Sequence, residues 1–418
     1  MKQILLSAIL AAFALTGCGG GGGSGSSSSS SSSGGGPPPP PTLPPAASAP
    51  ALKTVLAAKY GMVNFPIGAA IEPGSTSNAT DSALLLKHFS SVTAENAMKP
   101  QTIWPNAPGT QNPAAAPDFT QADLIYQFGL NNNIQVRGHT LLWHQGAPSW
   151  FFAGDRSDPT NYRILLQQRL RTYITAVMQR YPQIYAWDVV NEVASDTQNA
   201  ANPFRTGSPW YEAYSVSGNG GDYVRDAFEI AIDVRQGMGR NSSNMKLMLN
   251  DYNTELPGKR ANVIQIVQAL LTAGIAIDGV GHQLHLQLNT DVAQVTAAFQ
   301  AVEALSPSLV NHVTELDVSI YADPGNCFSA RTIPPCLADV GATAPQALLS
   351  QQATTYRALF NAFTRTSVTS VSLWGIADNH TWLNSFPVNR INHPLLFDRA
   401  SNPKWAFWTV VDPSITVP

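Results

Sequence analysis

Ala186-Trp187-Asp188-Val189-Val190-Asn191-Glu192, read with the residues just ahead of it, decides the fold. It is a short apolar run that closes on an amide and a carboxylate. Upstream, Asp158 can cap a helix and Pro159 suits its first turn. Tyr162, Leu166, Leu170, Tyr173, Val177 and Tyr181 then recur at steps of three or four until Pro182 stops the pattern. The spacing predicts a helix with one apolar face turned to a sheet, followed at once by a strand.

Working outward, seven more runs share this character, at 67–72, 91–96, 135–143, 246–252, 279–285, 313–318 and 371–375. Each meets polar residues and then a helical pattern, so the strands are parallel and the returns helical. Eight such units in about 350 residues match a (β/α)8 TIM barrel with some enlarged loops, whereas a doubly wound open sheet needs no eighth return strand. The barrel is expected to occupy residues 51–418 as one α/β domain.

Residues 1–50 differ: they hold one charge, Lys2, with ten Gly and eight Pro. The apolar run 4–15 followed by Thr16-Gly17-Cys18 reads as an export signal, too short for a stable membrane span. Leu15-Thr16-Gly17-Cys18 resembles the bacterial lipobox, which implies removal of residues 1–17 and a lipid on Cys18; ordinary secretory cleavage is the alternative. Gly19 in place of Asp favours, by analogy with Gram-negative lipoproteins, the outer membrane. The rest of 18–50 is polyglycine, polyserine and proline, a spacer that cannot bury enough apolar area to offset its ordering entropy. Membrane contact is expected through the lipid alone. With Cys18 so used, Cys327 and Cys336 remain, flanking Pro334-Pro335. An exported chain is expected to join them as a loop clip; a metal pair is the rival, without a neighbouring His or third Cys to complete it.

Beyond residue 50 the chain carries 23 Lys+Arg against 27 Asp+Glu. Charged residues are 12% of the whole, half of a usual share of about 25%, while Asn, Gln, Ser and Thr are plentiful. With no basic patch, nucleic acid is not the expected partner; a neutral, hydroxyl-rich ligand is. No Gly-x-Ser-x-Gly occurs, which disfavours a serine hydrolase. No cofactor or metal is expected, and the molecule is expected to act as a monomer.

In a barrel of this kind chemistry sits at the carboxyl ends of the strands. Those ends carry Glu72, Glu95, Asn96, His139, Trp143, His144, Asn191, Glu192, Asn250, Asp251, Gln283, His285, Glu315, Asp317, Trp374 and Asp378. A ring of carboxylates, amides, imidazoles and indoles suits a sugar-cleaving cleft. Glycosidic bonds need two carboxyls, one to protonate the departing oxygen and one to meet the cationic carbon from the other side. Glu192 and Glu315, closing the fourth and seventh runs, are the candidate pair.

These residues carry a family resemblance. Asn191-Glu192, Thr314-Glu315-Leu316-Asp317 and Arg137-Gly138-His139-Thr140-Leu141-Leu142-Trp143-His144 resemble family 10 glycoside hydrolases, the retaining endo-β-1,4-xylanases. Gly68-Ala69-Ala70-Ile71-Glu72, Glu95-Asn96-Ala97-Met98-Lys99, Asn250-Asp251-Tyr252-Asn253, Gln283-Leu284-His285 and Trp374-Gly375-Ile376 extend the likeness across the body in family order. The resemblance implies that Glu192 is the acid/base and Glu315 the nucleophile, kept ionised by His285, which Asp317 steadies. It implies that Asn191 grips the sugar 2-hydroxyl and that Glu95, Asn96, Lys99, His139 and Gln283 bind the non-reducing-side sugars. Trp143, Trp374 and Trp382 would cradle those sugars, Trp382 excluding a hydroxymethyl group, and Tyr252 would stack on the leaving-group side. The implied substrates are xylan and xylo-oligosaccharides. Many relatives have Trp after the Met-Lys of strand two, where this chain has Pro100, a change expected to reshape a distal subsite.

Blander roles stand beside these. Asp188 is expected to brace strand four. For Asp251, Glu72 and Asp378 structural hydrogen bonding weighs as much as substrate contact. Trp187, Trp210, Trp405 and Trp408 are expected in packing, and His282 and His285, three apart on a strand, on opposite faces. Two rival functions remain: a retaining glucanase or short-oligosaccharide exo-enzyme, and a surface glycan-binding lipoprotein without catalysis.

Overall fold

A computed structural model describes residues 41–107, 116–198, 200–328 and 331–418. The expected signal segment, Cys18 and most of the spacer lie outside them.

Eight parallel strands form the wall: β1 (Ile67–Ile71), β2 (Ser91–Ala94), β3 (Gln135–Gly138), β4 (Ala186–Asn191), β5 (Lys246–Asp251), β6 (Gly279–His282), β7 (Val310–Ser319) and β8 (Val368–Leu373). Each pairs with the next, and β8 returns to β1 with Val371 opposite Ile67, so the sheet closes into a (β/α)8 TIM barrel without free edges. The runs expected at 135–143 and 279–285 are interrupted. Short extensions, Leu142–Trp143 and His285–Gln287, resume them beside β4 and β7. Leu284 takes φ 56°, so extended pairing cannot pass straight through the second break.

Helices follow the strands, among them Ala79–His88, Thr120–Asn131, Pro159–Arg180, Asp222–Gly237, Pro257–Thr272, Val292–Glu303, Gln346–Phe363 and Trp405–Val411. The helix Pro159–Arg180 is the one read from sequence: Asp158 accepts from the Asn161 N–H, and Tyr162, Leu166, Leu170, Tyr173 and Val177 are buried. That single stripe delivers the chain to β4.

The barrel interior is not uniformly apolar. Arg137 on β3 is buried, donates to Asp188 on β4 and lies 2.8 Å from His312 Nδ1 on β7. His139 Nδ1 stands 3.0 Å from the same Asp188. Buried charges this well paired tie three strands together, and removing one partner would strand the other. Trp187 points the opposite way, outward, and lies against Gly138. A Cβ on Gly138 would sit 2.1 Å from Trp187 Cε3. Gly138→Ala is therefore expected to destabilise the fold by about 1–3 kcal/mol through overpacking, measured by chemical denaturation; an unchanged midpoint would show that the wall can shift to admit a methyl group.

Three register shifts interrupt the ladder, one of them an extra residue on β8 between Val368 and Ser370. Asp188 pairs with Met248 but Val190 with Leu249, one extra residue on β4; Val313 pairs with Val371 but Leu316 with Leu373, one extra residue on β7. Such bulges re-aim the side chains beyond them. Cys327 and Cys336 are joined by a disulfide in the connection after β7. Arg390 supports that connection by donating to the Cys336 and Ala338 carbonyls at 3.1 Å.

Candidate active site

The extra residues of β4 and β7 lie beside the candidate carboxyls: Glu192 directly follows Asn191 at the end of β4, and Glu315 sits within the irregular stretch of β7 between Val313 and Leu316. On β4, Asp188 and Asn191 both turn inward although three residues apart, which strict alternation forbids and the bulge permits. Glu192 follows with φ 58°, a left-handed conformation that costs a non-glycine residue roughly 1–3 kcal/mol. The turn swings its side chain back beside Asn191, whose Nδ2 lies 3.4 Å from Glu192 Oε1. On β7 the bulge lets consecutive residues reach one amide. Thr314 Oγ1 donates to Asn250 Oδ1 at 2.7 Å, and Asn250 Nδ2 donates to Glu315 Oε1 at 2.8 Å.

A chain of amides links the two carboxyls across the barrel mouth. Gln283 Nε2 donates to Glu192 Oε1 and to Asn191 Oδ1, each at 3.2 Å. Asn191 Oδ1 also accepts from Asn250 Nδ2 at 2.9 Å, and that same nitrogen reaches Glu315. Asn250 was among the polar strand ends, but the sequence held no signal for its contact with Glu315.

The two carboxyls are pushed in opposite directions. Burial raises the Glu192 pKa, opposed by the hydrogen bond from Trp143 and reinforced by the charges of Asp251 and Glu315. Burial also acts to raise that of Glu315, but the hydrogen bond from His285 and the nearby imidazoles outweigh it, leaving a net lowering. One group is thus held toward its acid form and the other toward its anion.

His285 mediates this. Its Nε2 is 3.2 Å from Glu315 Oε2 and its Nδ1 2.9 Å from Asp317 Oδ2, and Trp382 Nε1 donates to the same Asp317 oxygen at 2.9 Å. Burial would lower the imidazole pKa, yet Asp317 and then Glu315 override it and push it up to about 10. A folded-state pKa raised above the usual 6.5 adds stability that is complete below pH 6.5 and lost as pH climbs through about 10. The melting-temperature gap between the wild type and His285→Gln is therefore expected to narrow over that window; a gap independent of pH would mean the ring is neutral throughout.

The remaining predicted residues line one mouth. Trp143 Nε1 donates to Glu192 Oε2 at 2.8 Å, so this indole orients that carboxyl. Lys99 Nζ lies 4.7 Å from the Trp143 ring centroid and donates to Asn96 Oδ1 at 2.8 Å, while Asn96 donates in turn to Glu72. Burial, then the charge of Glu72, raises the Glu95 pKa to about 7. The Trp374 ring meets His139 edge-on at 5.3 Å, and Trp382 meets His285 at 4.9 Å. Tyr252 stands past β5, its hydroxyl donating to Asp196 Oδ2 at 2.7 Å.

Other strand-end groups serve the frame. Asp251 is buried, paired with Lys259 at 2.9 Å and accepting from the Ala194 N–H. Asp378 is buried against Lys404 and the Leu395 N–H. His282 faces the helices, 2.8 Å from both Thr254 Oγ1 and Asn311 Oδ1. Trp187, Trp210, Trp405 and Trp408 are buried. His144 stands closer to the chemistry than a packing role requires, Nδ1 3.8 Å from Glu192 Oε2. Pro100 opens a one-turn helix, Pro100–Ile103, and is buried. Arg205, which reaches the Glu192 carbonyl, sits in a Gly/Ser/Pro-rich loop where no periodic pattern singles it out.

Comparison with known proteins fits this architecture. The profile described as Glycosyl hydrolase family 10 matches residues 52–413. A protein of Thermoclostridium stercorarium named thermostable celloxylanase is 40% identical over 364 residues, covering 84% of this chain and 85% of that one. Endo-1,4-beta-xylanase A of Thermoanaerobacterium saccharolyticum is 36% identical over 367 residues, 85% of this chain but 27% of that longer protein. In three dimensions, xylanase B from Clostridium stercorarium F9 superposes with a TM-score of 0.73 at 39% identity, over 87% of this chain and 100% of that one.

Proposed function

Since the chain belongs to glycosyl hydrolase family 10, we propose that it is a retaining endo-1,4-β-xylanase acting on xylan and xylo-oligosaccharides. One observation carries the reading: Glu192, just past the β4 bulge, and Glu315, within the β7 bulge, share an amide network and have pKa values displaced in opposite directions.

In the first step Glu315 attacks the anomeric carbon while Glu192 passes its proton to the departing glycosidic oxygen, leaving a glycosyl ester on Glu315 and Glu192 ionised. In the second, Glu192 takes a proton from water, the oxygen of that water bonds to the anomeric carbon, and Glu315 leaves as its anion. Two inversions give net retention, which requires carboxyls ~5–5.5 Å apart. Asn191, its carbonyl oxygen held by Asn250 and Gln283, presents its amide beside Glu192, suited to a 2-hydroxyl whose contact strengthens as positive charge develops. Trp382, fixed through Asp317, would pack against the edge where glucose carries its hydroxymethyl group.

The same reading puts the barrel outside the cytoplasm, tethered by a lipid on Cys18 through a spacer. Its support is the composition of residues 1–50 and the Leu15-Thr16-Gly17-Cys18 motif. The test of activity is side-by-side hydrolysis of xylan, carboxymethylcellulose and barley glucan, with NMR of the freshly released anomer. Xylan preference, mixed oligomers and a β anomer are expected; glucan preference, single-sugar release or an α anomer would each overturn a named part. Xylan binding without release of reducing ends would favour the non-catalytic glycan binder.

A further inference from the structure

Resting on the acid/base role proposed for Glu192, we propose that Arg205 is a positioning residue for that carboxyl, acting on the backbone of Glu192 rather than on substrate. The chain turns back just after the acid. Ala194 and Phe204 form an antiparallel bridge, Ser195 N–H donates to the Pro203 carbonyl at 2.7 Å, and Arg205 N–H to the Val193 carbonyl at 2.8 Å. This return brings the Arg205 guanidinium under Glu192, where Nε donates to the Glu192 carbonyl at 3.0 Å. On the other side, the Glu192 N–H donates to the Asn250 carbonyl at 2.9 Å. The left-handed peptide is therefore gripped at both ends, one grip from the β5 backbone and the other from a single side chain.

Arg205 is itself fixed. Nη2 donates to the Tyr252 hydroxyl at 2.7 Å and Nη1 pairs with Asp196 Oδ2 at 2.9 Å. Asp196 is held from beneath by buried Lys259 at 2.8 Å, which also donates to the Ala194 carbonyl. The planar fork of an arginine suits this task because it serves three acceptors in fixed directions, whereas a lysine ammonium on a flexible stem does not. The consequence is chemical. A left-handed conformation at a non-glycine residue persists only where its surroundings over-determine it. Without the clamp, the Glu192 backbone is free to relax toward extended geometry, which would turn the carboxyl toward the outer face of β4 and away from the cleft.

A misplaced acid slows steps that need its proton and spares those that do not. The test uses the full-length wild type, Arg205→Ala, Arg205→Lys and Glu192→Ala on xylan and on two aryl β-xylobiosides, one with a dinitrophenolate and one with a phenolate leaving group. For Arg205→Ala, kcat/KM is expected to fall on the order of 10²-fold on xylan and the phenyl glycoside, and by less than about threefold on the dinitrophenyl glycoside, following the Glu192→Ala pattern. Arg205→Lys should lie between. A loop-staple role would instead lower the melting temperature and cut all three substrates alike, and that uniform loss, in a variant that still melts cooperatively, would overturn the assignment. If the wild type itself releases nothing from xylan, the enzymatic reading fails first; if Glu192→Ala shows no leaving-group dependence, the acid role fails independently of Arg205.

Discussion

Glu315→Ala is expected to lower turnover of xylan by roughly five orders of magnitude, because the variant lacks the carboxylate proposed to form the ester intermediate. The residue is buried, accepts from Asn250 and faces His285. Its removal leaves a small cavity lined by a donor amide and an imidazolium, which suits a small anion. Azide should therefore restore release of an activated aryl leaving group and yield an α-glycosyl azide, the product of one inversion. A β-glycosyl azide would mean that attack comes from the opposite face and that the two roles are exchanged. Wild-type-like turnover in the variant would exclude covalent catalysis at this residue altogether. Loss of the Glu315 charge also removes one reason for His285 to stay protonated, so the alkaline stability limb should move with it.

Glu192→Ala carries the second large effect, with a different signature. Loss of a general acid costs roughly 10²- to 10⁴-fold on xylan, whose leaving group is a poorly acidic sugar hydroxyl. With a dinitrophenolate leaving group kcat/KM should change little, while kcat drops as the ester waits for a base to activate water. An equal fall in kcat/KM on both substrates would remove Glu192 from the acid role. The opposed pKa displacements add a pH test. Glu315 must be ionised and Glu192 protonated, so kcat/KM should be bell-shaped, its acid limb belonging to Glu315 and its alkaline limb to Glu192. Glu192→Gln should lose the alkaline limb and keep the acid one.

The sequence carried the fold because local patterns repeated it eight times. The stripe from Tyr162 to Val177 and the run 186–192 each required only chain periodicity to be read, and barrel closure followed from their number. The polar strand ends were legible for the same reason, since interruption of an apolar run is visible without neighbours. The interruptions of β3 and β6 were not, because Leu284 carries no residue-type signal for a positive φ. Nor was the hydrogen bond of Trp143: an indole in a strand reads as a stacking face, and only the placement of Glu192 shows its N–H donating to that carboxyl.

By itself, then, the order of residues determined the barrel, the polar ends of its strands, and two candidate carboxyls for cleavage of an acetal. Those are consequences of period and residue type, both contained in short segments. The tertiary structure alone decided how the two carboxyls are held and linked through amides. The extra residues in β4 and β7, the left-handed turn at Glu192, the amide chain through Gln283, Asn191 and Asn250, and the return of Arg205 each depend on what the neighbouring strand or loop supplies. A bulge has no length or composition of its own, since it exists only as a mismatch between two strands, and no single strand can announce it.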